Sequence, residues 1–148
     1  MQIKYKKLSP FAIVPTAGTA GAAGLDLYAT KDVSLVNGQP VKIPTGLAFE
    51  IPAGYCGKVY SRSSSFLKGL ILTPLIVDSD YRGEIFVMAS FHQSPMSKAL
   101  GLPDHYEILK GDRIAQICFE AVTPVEFIEA ETLSETERGT GGYGSTGR

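Results

Sequence analysis

Leu75-Ile76-Val77-Asp78-Ser79-Asp80-Tyr81-Arg82-Gly83-Glu84-Ile85 is the stretch on which the reading of this chain turns. An apolar run enters it and another leaves it. Between them stand two acids, a tyrosine and an arginine, closed by a glycine. β-branched flanks around a polar, Gly-terminated tip predict a β-hairpin. Such a tip holds a carboxylate at the mouth of two buried strands, where a rigid scaffold can position a catalytic group. Taken alone, Asp-Ser-Asp reads first as ordinary turn chemistry, so the rest of the chain has to decide.

The 148 residues suffice for one domain around a single core. Hydrophobic residues make up 44% and charged residues 20%, which predicts a soluble globular protein. Lys and Arg number 14 against 15 Asp and Glu, so no overall basic field exists to hold a nucleic-acid polymer. Any nucleotide it meets is a small one, bound locally. Met1-Gln2-Ile3-Lys4-Tyr5-Lys6-Lys7 alternates like a strand and lacks the apolar core of a signal peptide. No apolar run approaches a membrane span. Cys56 and Cys118 read as reduced, half-buried strand thiols, which suits a reducing compartment: the cytoplasm, or the nucleus in a eukaryotic or viral setting. Two cysteines and two histidines show no zinc-ligand spacing.

Helical periodicity is nearly absent, and 16 Gly and 9 Pro punctuate short apolar runs. That pattern predicts an all-β sandwich, jelly roll or barrel. Strands are expected at Ile3–Tyr5, Gly24–Ala29, Val41–Pro44, Leu47–Pro52, from Gly57, at Ile85–Phe91, Gly111–Phe119 and Val125–Ile128, with a loop over Pro15–Gly24. Asp26 lies between two leucines and must be paired or wet at one end. The strand from Gly57 runs into Ser61-Arg62-Ser63-Ser64-Ser65, a hydroxyl-rich tip with one guanidinium, a donor set suited to phosphate oxygens. Ser65-Phe66-Leu67-Lys68 matches S-x-x-K, but no K-T-G or S-D-N accompanies it. Ile85–Phe91 is apolar on both alternating faces, so one face needs a second sheet or a second subunit. His92–His105 reads as a long connection. Gln116 is the one long polar side chain in its apolar run. Residues 139–144 spell G-x-G-x-x-G, yet only four residues follow and no helix can begin there. This Gly-rich tail carries hydroxyls and Tyr143, a ring face on which a base can stack.

Five polar insertions thus interrupt a β pattern: AGLDLYA, SRSS, VDSDYRGEI, GDRIAQ and RGTGGYGSTG. Together, and in this order, they resemble the five motifs of the trimeric dUTP pyrophosphatase (dUTPase) family, over Ala23–Gly147. The resemblance implies a jelly-roll domain over residues 1–137 and a flexible arm over 138–148. It implies a homotrimer with three active sites shared between subunits, each closed by an arm. The implied reaction is dUTP and water giving dUMP and pyrophosphate, with Mg²⁺ carried mainly by the triphosphate. Asp78 matches the water-activating carboxylate, ionised at neutral pH. Tyr81 matches the tyrosine under the deoxyribose. Arg62, Ser63 and Ser64 match phosphate binders from a neighbouring subunit, and Gln116 matches a further phosphate contact. Arg138, Ser145 and Thr146 match the arm's phosphate contacts, and Tyr143 its stacking aromatic. Asp26 matches the first-motif acid, near the metal's waters.

The chain departs from that family at Ser64, where glycine is usual, and at Ser61, where proline is common. Thr73-Pro74-Leu75 occupies the base-reading arm, where small residues or asparagine are frequent, and Pro74 supplies no N–H. Leu75 remains a candidate base contact. The His92–His105 connection resembles an insertion. A dCTP deaminase of the related fold would need a glutamate within Phe86–Phe91, which has none. A catalytically silent trimeric nucleotide binder is the other alternative.

Overall fold

A computed structural model describes residues 1–142. Its elements, in chain order, are β1 (Lys4–Lys7), β2 (Thr16–Ala17), β3 (Leu25–Tyr28), β4 (Val33–Val36), β5 (Pro40–Pro44), β6 (Leu47–Glu50) and β7 (Tyr55–Tyr60). Then come α1 (Ser63–Leu67), β8 (Leu70–Leu72), β9 (Leu75–Val77), β10 (Phe86–Phe91), α2 (Pro95–Ala99), β11 (His105–Ile108) and β12 (Arg113–Ala121). The architecture is all-β, as the punctuation predicts, and is the jelly roll that the resemblance implies. A five-stranded sheet runs β2-β3-β12-β7-β9, and a three-stranded sheet runs β5-β10-β8. Two further pairs, β1-β6 and β11-β4, complete the barrel wall. Every strand pair in these sheets is antiparallel.

The core draws on all the larger strands. Leu27, Leu35, Ile43, Leu47, Val59, Val87 and Ile117 are fully buried. Their strands turn these side chains into a single shared interior. β10 shows the pattern well: Val87, Ala89 and Phe91 are buried, while Phe86, Met88 and Ser90 are half-buried. Cys56 is buried in β7 and Cys118 half-buried in β12, both as free thiols. Burial pushes the Cys118 thiol upward. No helix among the described residues is long and apolar enough to cross a membrane.

Three expectations are corrected. The stretch Leu75–Ile85 is not a paired hairpin: β9 joins β7 in the larger sheet, whereas β10 pairs with β5 and β8 in the smaller one. The hairpin ladder exists only deeper, between β8 and Ala89–Phe91, and its last bond runs from Thr73 N–H to Met88 O at 2.9 Å. Pro74 follows, cannot donate, and the strands part there. The hydroxyl-rich stretch after β7 is a short helix, α1, rather than a simple turn. Finally, Val125–Ile128 forms no strand; regular structure ends at Ala121. Val125, Phe127 and Ile128 are 74%, 95% and 82% exposed. β2 lies within Pro15–Gly24, a stretch expected to be a loop, because Thr16 and Ala17 pair with Asp26 and Leu25 of β3. β4, β8 and β11, and α2 within the His92–His105 connection, are further additions to the sequence reading.

Candidate functional site

The Asp78 tip is built by backbone bonds and one glycine. Tyr81 N–H donates to Asp78 O at 3.2 Å, closing a turn. The Arg82 guanidinium then caps it, donating to Ser79 O at 2.6 Å and Tyr81 O at 3.0 Å. The Tyr81 hydroxyl donates to Glu84 O at 3.1 Å, folding its ring back across Gly83. A Cβ at Gly83 would collide with that ring as it lies, so the glycine lets the ring fold back this closely. The exit is anchored to the body: Ile85 N–H donates to Leu47 O at 2.7 Å, and the Glu84 carboxylate accepts the Gly46 N–H at 2.8 Å. The turn is therefore fixed, whereas the Asp78 side chain is exposed and holds no hydrogen bond among the described residues. Such a carboxylate is free to hold and deprotonate a water.

Beside this tip the parting of β9 from β10 opens a slot of about 390 Å³. Leu75, Ile76, Val77 and Asp78 form one wall; Glu84, Ile85, Phe86 and Met88 form the other, with Tyr81 and Lys42 at its edges. β9 pairs only with β7, and β10 does not pair with β9, so the two facing edges carry backbone groups outside any ladder. A narrow, largely apolar slot between two strand edges that do not pair with each other suits a planar heterocycle.

A second polar cluster sits elsewhere in the same sheet. Gln116 on β12 lies between Asp26 on β3 and Tyr60 on β7. The Arg62 Nε meets Asp26 Oδ1 at 2.9 Å, and an Arg113 nitrogen meets Asp26 Oδ2 at 3.5 Å. Asp26 is only 13% exposed, so the lone acid between two leucines is paired, as burial demands. Gln116 Nε2 donates to Ser61 O at 2.9 Å, tying the end of β7 to β12. Gly24 makes room for it, since a Cβ there would strike the Gln116 amide. Ser63 and Ser64 are exposed on the first turn of α1, next to Arg62. Arg62, Lys68 and Arg113 line one polar cleft of about 200 Å³.

The two clusters do not meet within the chain. Val77 faces Gly57, so Asp78 is level with Cys56, four residues along β7 from the Tyr60 rung that Asp26 shares. β3 and β9 stand three strand spacings apart. Four residues at ~3.4 Å and three spacings at ~4.8 Å put Asp26 and Asp78 at opposite corners, about 20 Å apart.

A family model described as dUTPase matches residues 11–147. The chain belongs to the dUTPase family. It is 44% identical to the deoxyuridine 5'-triphosphate nucleotidohydrolase of Nautilia profundicola, over the whole of both chains. It is 36% identical to the human mitochondrial enzyme of that name, over all of this chain and 56% of the human one. Among solved structures, the dUTPase of Staphylococcus bacteriophage 80alpha with dUPNHPP matches with a TM-score of 0.89 and 26% identity, over 99% of each chain.

Of the residues singled out in this dUTPase sequence, Asp78, Tyr81 and Leu75 gather at the slot. Arg62, Ser63, Ser64, Gln116 and Asp26 gather at the far corner. Arg138 lies in a terminal turn, its Nε donating to Gly141 O at 2.9 Å. Tyr143, Ser145 and Thr146 lie outside the described residues. Sequence reading missed Arg113, although it stands inside GDRIAQ. The signal available was the need of Asp26 for cationic partners.

Proposed function

We propose that this protein hydrolyses dUTP to dUMP and pyrophosphate at sites shared between the chains of a homotrimer. The carrying observation is the separation of Asp78 from Arg62 and Gln116 across one sheet. A triphosphate on a nucleoside seated beside Asp78 is too short to reach the guanidinium held by Asp26 in the same chain. A second copy can bring its own Arg62, Ser63, Ser64 and Gln116 to the Asp78 tip of the first. The half-covered face of β10 and the unpaired Val125–Ile128 segment support association, since both leave apolar area in water.

In this reading uracil enters the slot between β9 and β10, against Leu75. Tyr81 lies under the deoxyribose and leaves no room for a 2′-hydroxyl. Asp78 accepts a proton from a water aligned on the α-phosphorus, the water oxygen bonds to that phosphorus as its P–O bond to pyrophosphate breaks, and the neighbour's Arg62 and Gln116 hold the phosphate oxygens. Mg²⁺ arrives as part of the substrate. Among the described residues no three His, Cys, Asp or Glu side chains converge on an ion, and Asp26 faces two guanidiniums. That donor set fits a metal carried on phosphates rather than caged by protein. Residues 138–148 act as an arm over the bound nucleotide, with Arg138, Ser145 and Thr146 on phosphates and Tyr143 on the base.

Subunit complementation tests this. Asp78→Asn and Arg62→Ala are each expected to be nearly inactive. Refolding the two variants together should restore part of the activity, because some sites then pair an intact Asp78 with an intact Arg62. Absence of any rescue, in mixtures shown to exchange subunits, would mean that each chain completes its own site.

A further inference from the structure

We propose that Lys42 reads the base in this protein. Its ammonium donates a hydrogen bond to the carbonyl oxygen at position 4 of the pyrimidine and thereby rejects cytosine. The inference rests on the dUTP reading above and adds to it the residue that sets base choice.

Lys42 is the one cation among the described residues lining the slot. It stands on β5 opposite Met88, and its Nζ lies 3.7 Å from the centroid of the Phe86 ring, itself a slot wall. The side chain is exposed, and that ring is its only partner among the described residues. A surface ring contact is a weak hold, so the amine can turn to a better acceptor. Its direction along the slot matters. Asp78 and Tyr81 mark the tip, where sugar and phosphates belong. Met88, and Lys42 opposite it, lie two residues beyond Phe86, away from that tip. A pyrimidine whose sugar rests on Tyr81 therefore turns its far edge, positions 3 and 4, toward Lys42.

An ammonium is a donor only. Uracil presents a carbonyl at position 4 and can accept from it. Cytosine presents an amino group there, also a donor, and would leave both groups unpaired. The neighbouring sequence makes such a donor useful. Pro74, at the point where β8 gives way to β9, contributes no N–H to the slot. A side chain from the adjacent sheet supplies a donor in its place.

Steady-state hydrolysis of dUTP by wild type, Lys42→Met and Lys42→Arg, each with dCTP as inhibitor, tests the assignment. Met keeps the packing on Phe86 and removes the donor. Lys42→Met should raise KM for dUTP by about tenfold to a hundredfold with kcat little changed, since Asp78 is untouched. The inhibition constant of dCTP should stay constant or fall, so discrimination contracts, and Lys42→Arg should recover part of it. An unchanged KM and an unchanged dUTP-to-dCTP ratio in Lys42→Met overturn the proposal. So does a changed molecular mass by light scattering with selectivity intact, which would make Lys42 a subunit-contact residue. If wild type itself leaves dUTP unhydrolysed, the underlying reading falls and the inference with it.

Discussion

Asp78 and Asp26 are the same side chain in opposite environments at opposite corners of one sheet. Asp78 sits on a turn whose backbone is fixed by Arg82 and Tyr81, and its carboxylate is left open to water. Asp26 is nearly enclosed, and both its oxygens face guanidiniums. A carboxylate with both oxygens on guanidiniums is a clamp, and it holds Arg62 in one orientation. The Asp78 carboxylate has no such partner among the described residues. In the function proposed above, environment rather than residue type assigns the roles, and substitutions at the two corners should fail in different ways.

The largest effect belongs to Asp78→Asn. An amide cannot take the water's proton, so kcat should fall by ~10²–10⁴ while nucleotide affinity changes little. Single-turnover assay alongside equilibrium binding separates the two. Near-wild-type turnover would move the proton acceptor to Asp80. Asp26→Asn should sharpen the contrast from the other side. Its shape is retained, but the charge that orients Arg62 is gone and two guanidiniums are left facing each other. The expected loss is about tenfold to a hundredfold, mostly in KM, because ground-state phosphate contacts suffer along with the transition state. If Asp26→Asn instead cuts kcat alone, as Asp78→Asn should, the distinction between clamp and base collapses.

Much of this is legible in the sequence itself. The all-β class follows from short runs cut by Gly and Pro. The burial of Asp26 between two leucines already required a partner. What the sequence withheld depends on how strands find each other. Leu75–Ile85 has every local feature of a hairpin, yet β9 takes β7 as its neighbour, because the proline at 74 ends one ladder and a free β7 edge offers another. Ser63–Leu67 has too few residues for helical periodicity to show, so α1 was invisible. Val125–Ile128 is β-branched at its ends, but local pattern does not decide whether a segment finds a pairing partner. Arg113 was legible only as part of a motif. Its use appears once β12 is laid beside β3, where it shares Asp26 with Arg62.

Between the two corners, β7 carries a charge pair that serves neither, and it provides the smallest expected effect. Lys58 Nζ meets Glu120 Oε2 at 2.6 Å across the β7–β12 ladder, and the Tyr60 hydroxyl approaches the other oxygen at 3.4 Å. The hydrogen bond from Lys58 holds the Glu120 carboxyl below its ordinary 4.5, and that bond to Glu120 raises Lys58 above its ordinary 10.5. A depressed carboxyl contributes stability above its unfolded value, and loses it as pH falls through the folded one. A raised ammonium contributes below its unfolded value, and loses it as pH climbs through the folded one. The pair therefore stabilises across the wide neutral window and is lost at both extremes. Both groups are substantially exposed, so the gain is modest. Lys58→Met should lower Tm by about a degree or two at pH 7 in low salt. The gap to wild type should close on acidification below 4.5, and shrink in high salt at any pH. Neither kcat nor KM should move, since the pair touches neither corner. A loss of activity in Lys58→Met without loss of Tm would show that β7 transmits between its two ends, and that the corners are not the independent halves drawn above.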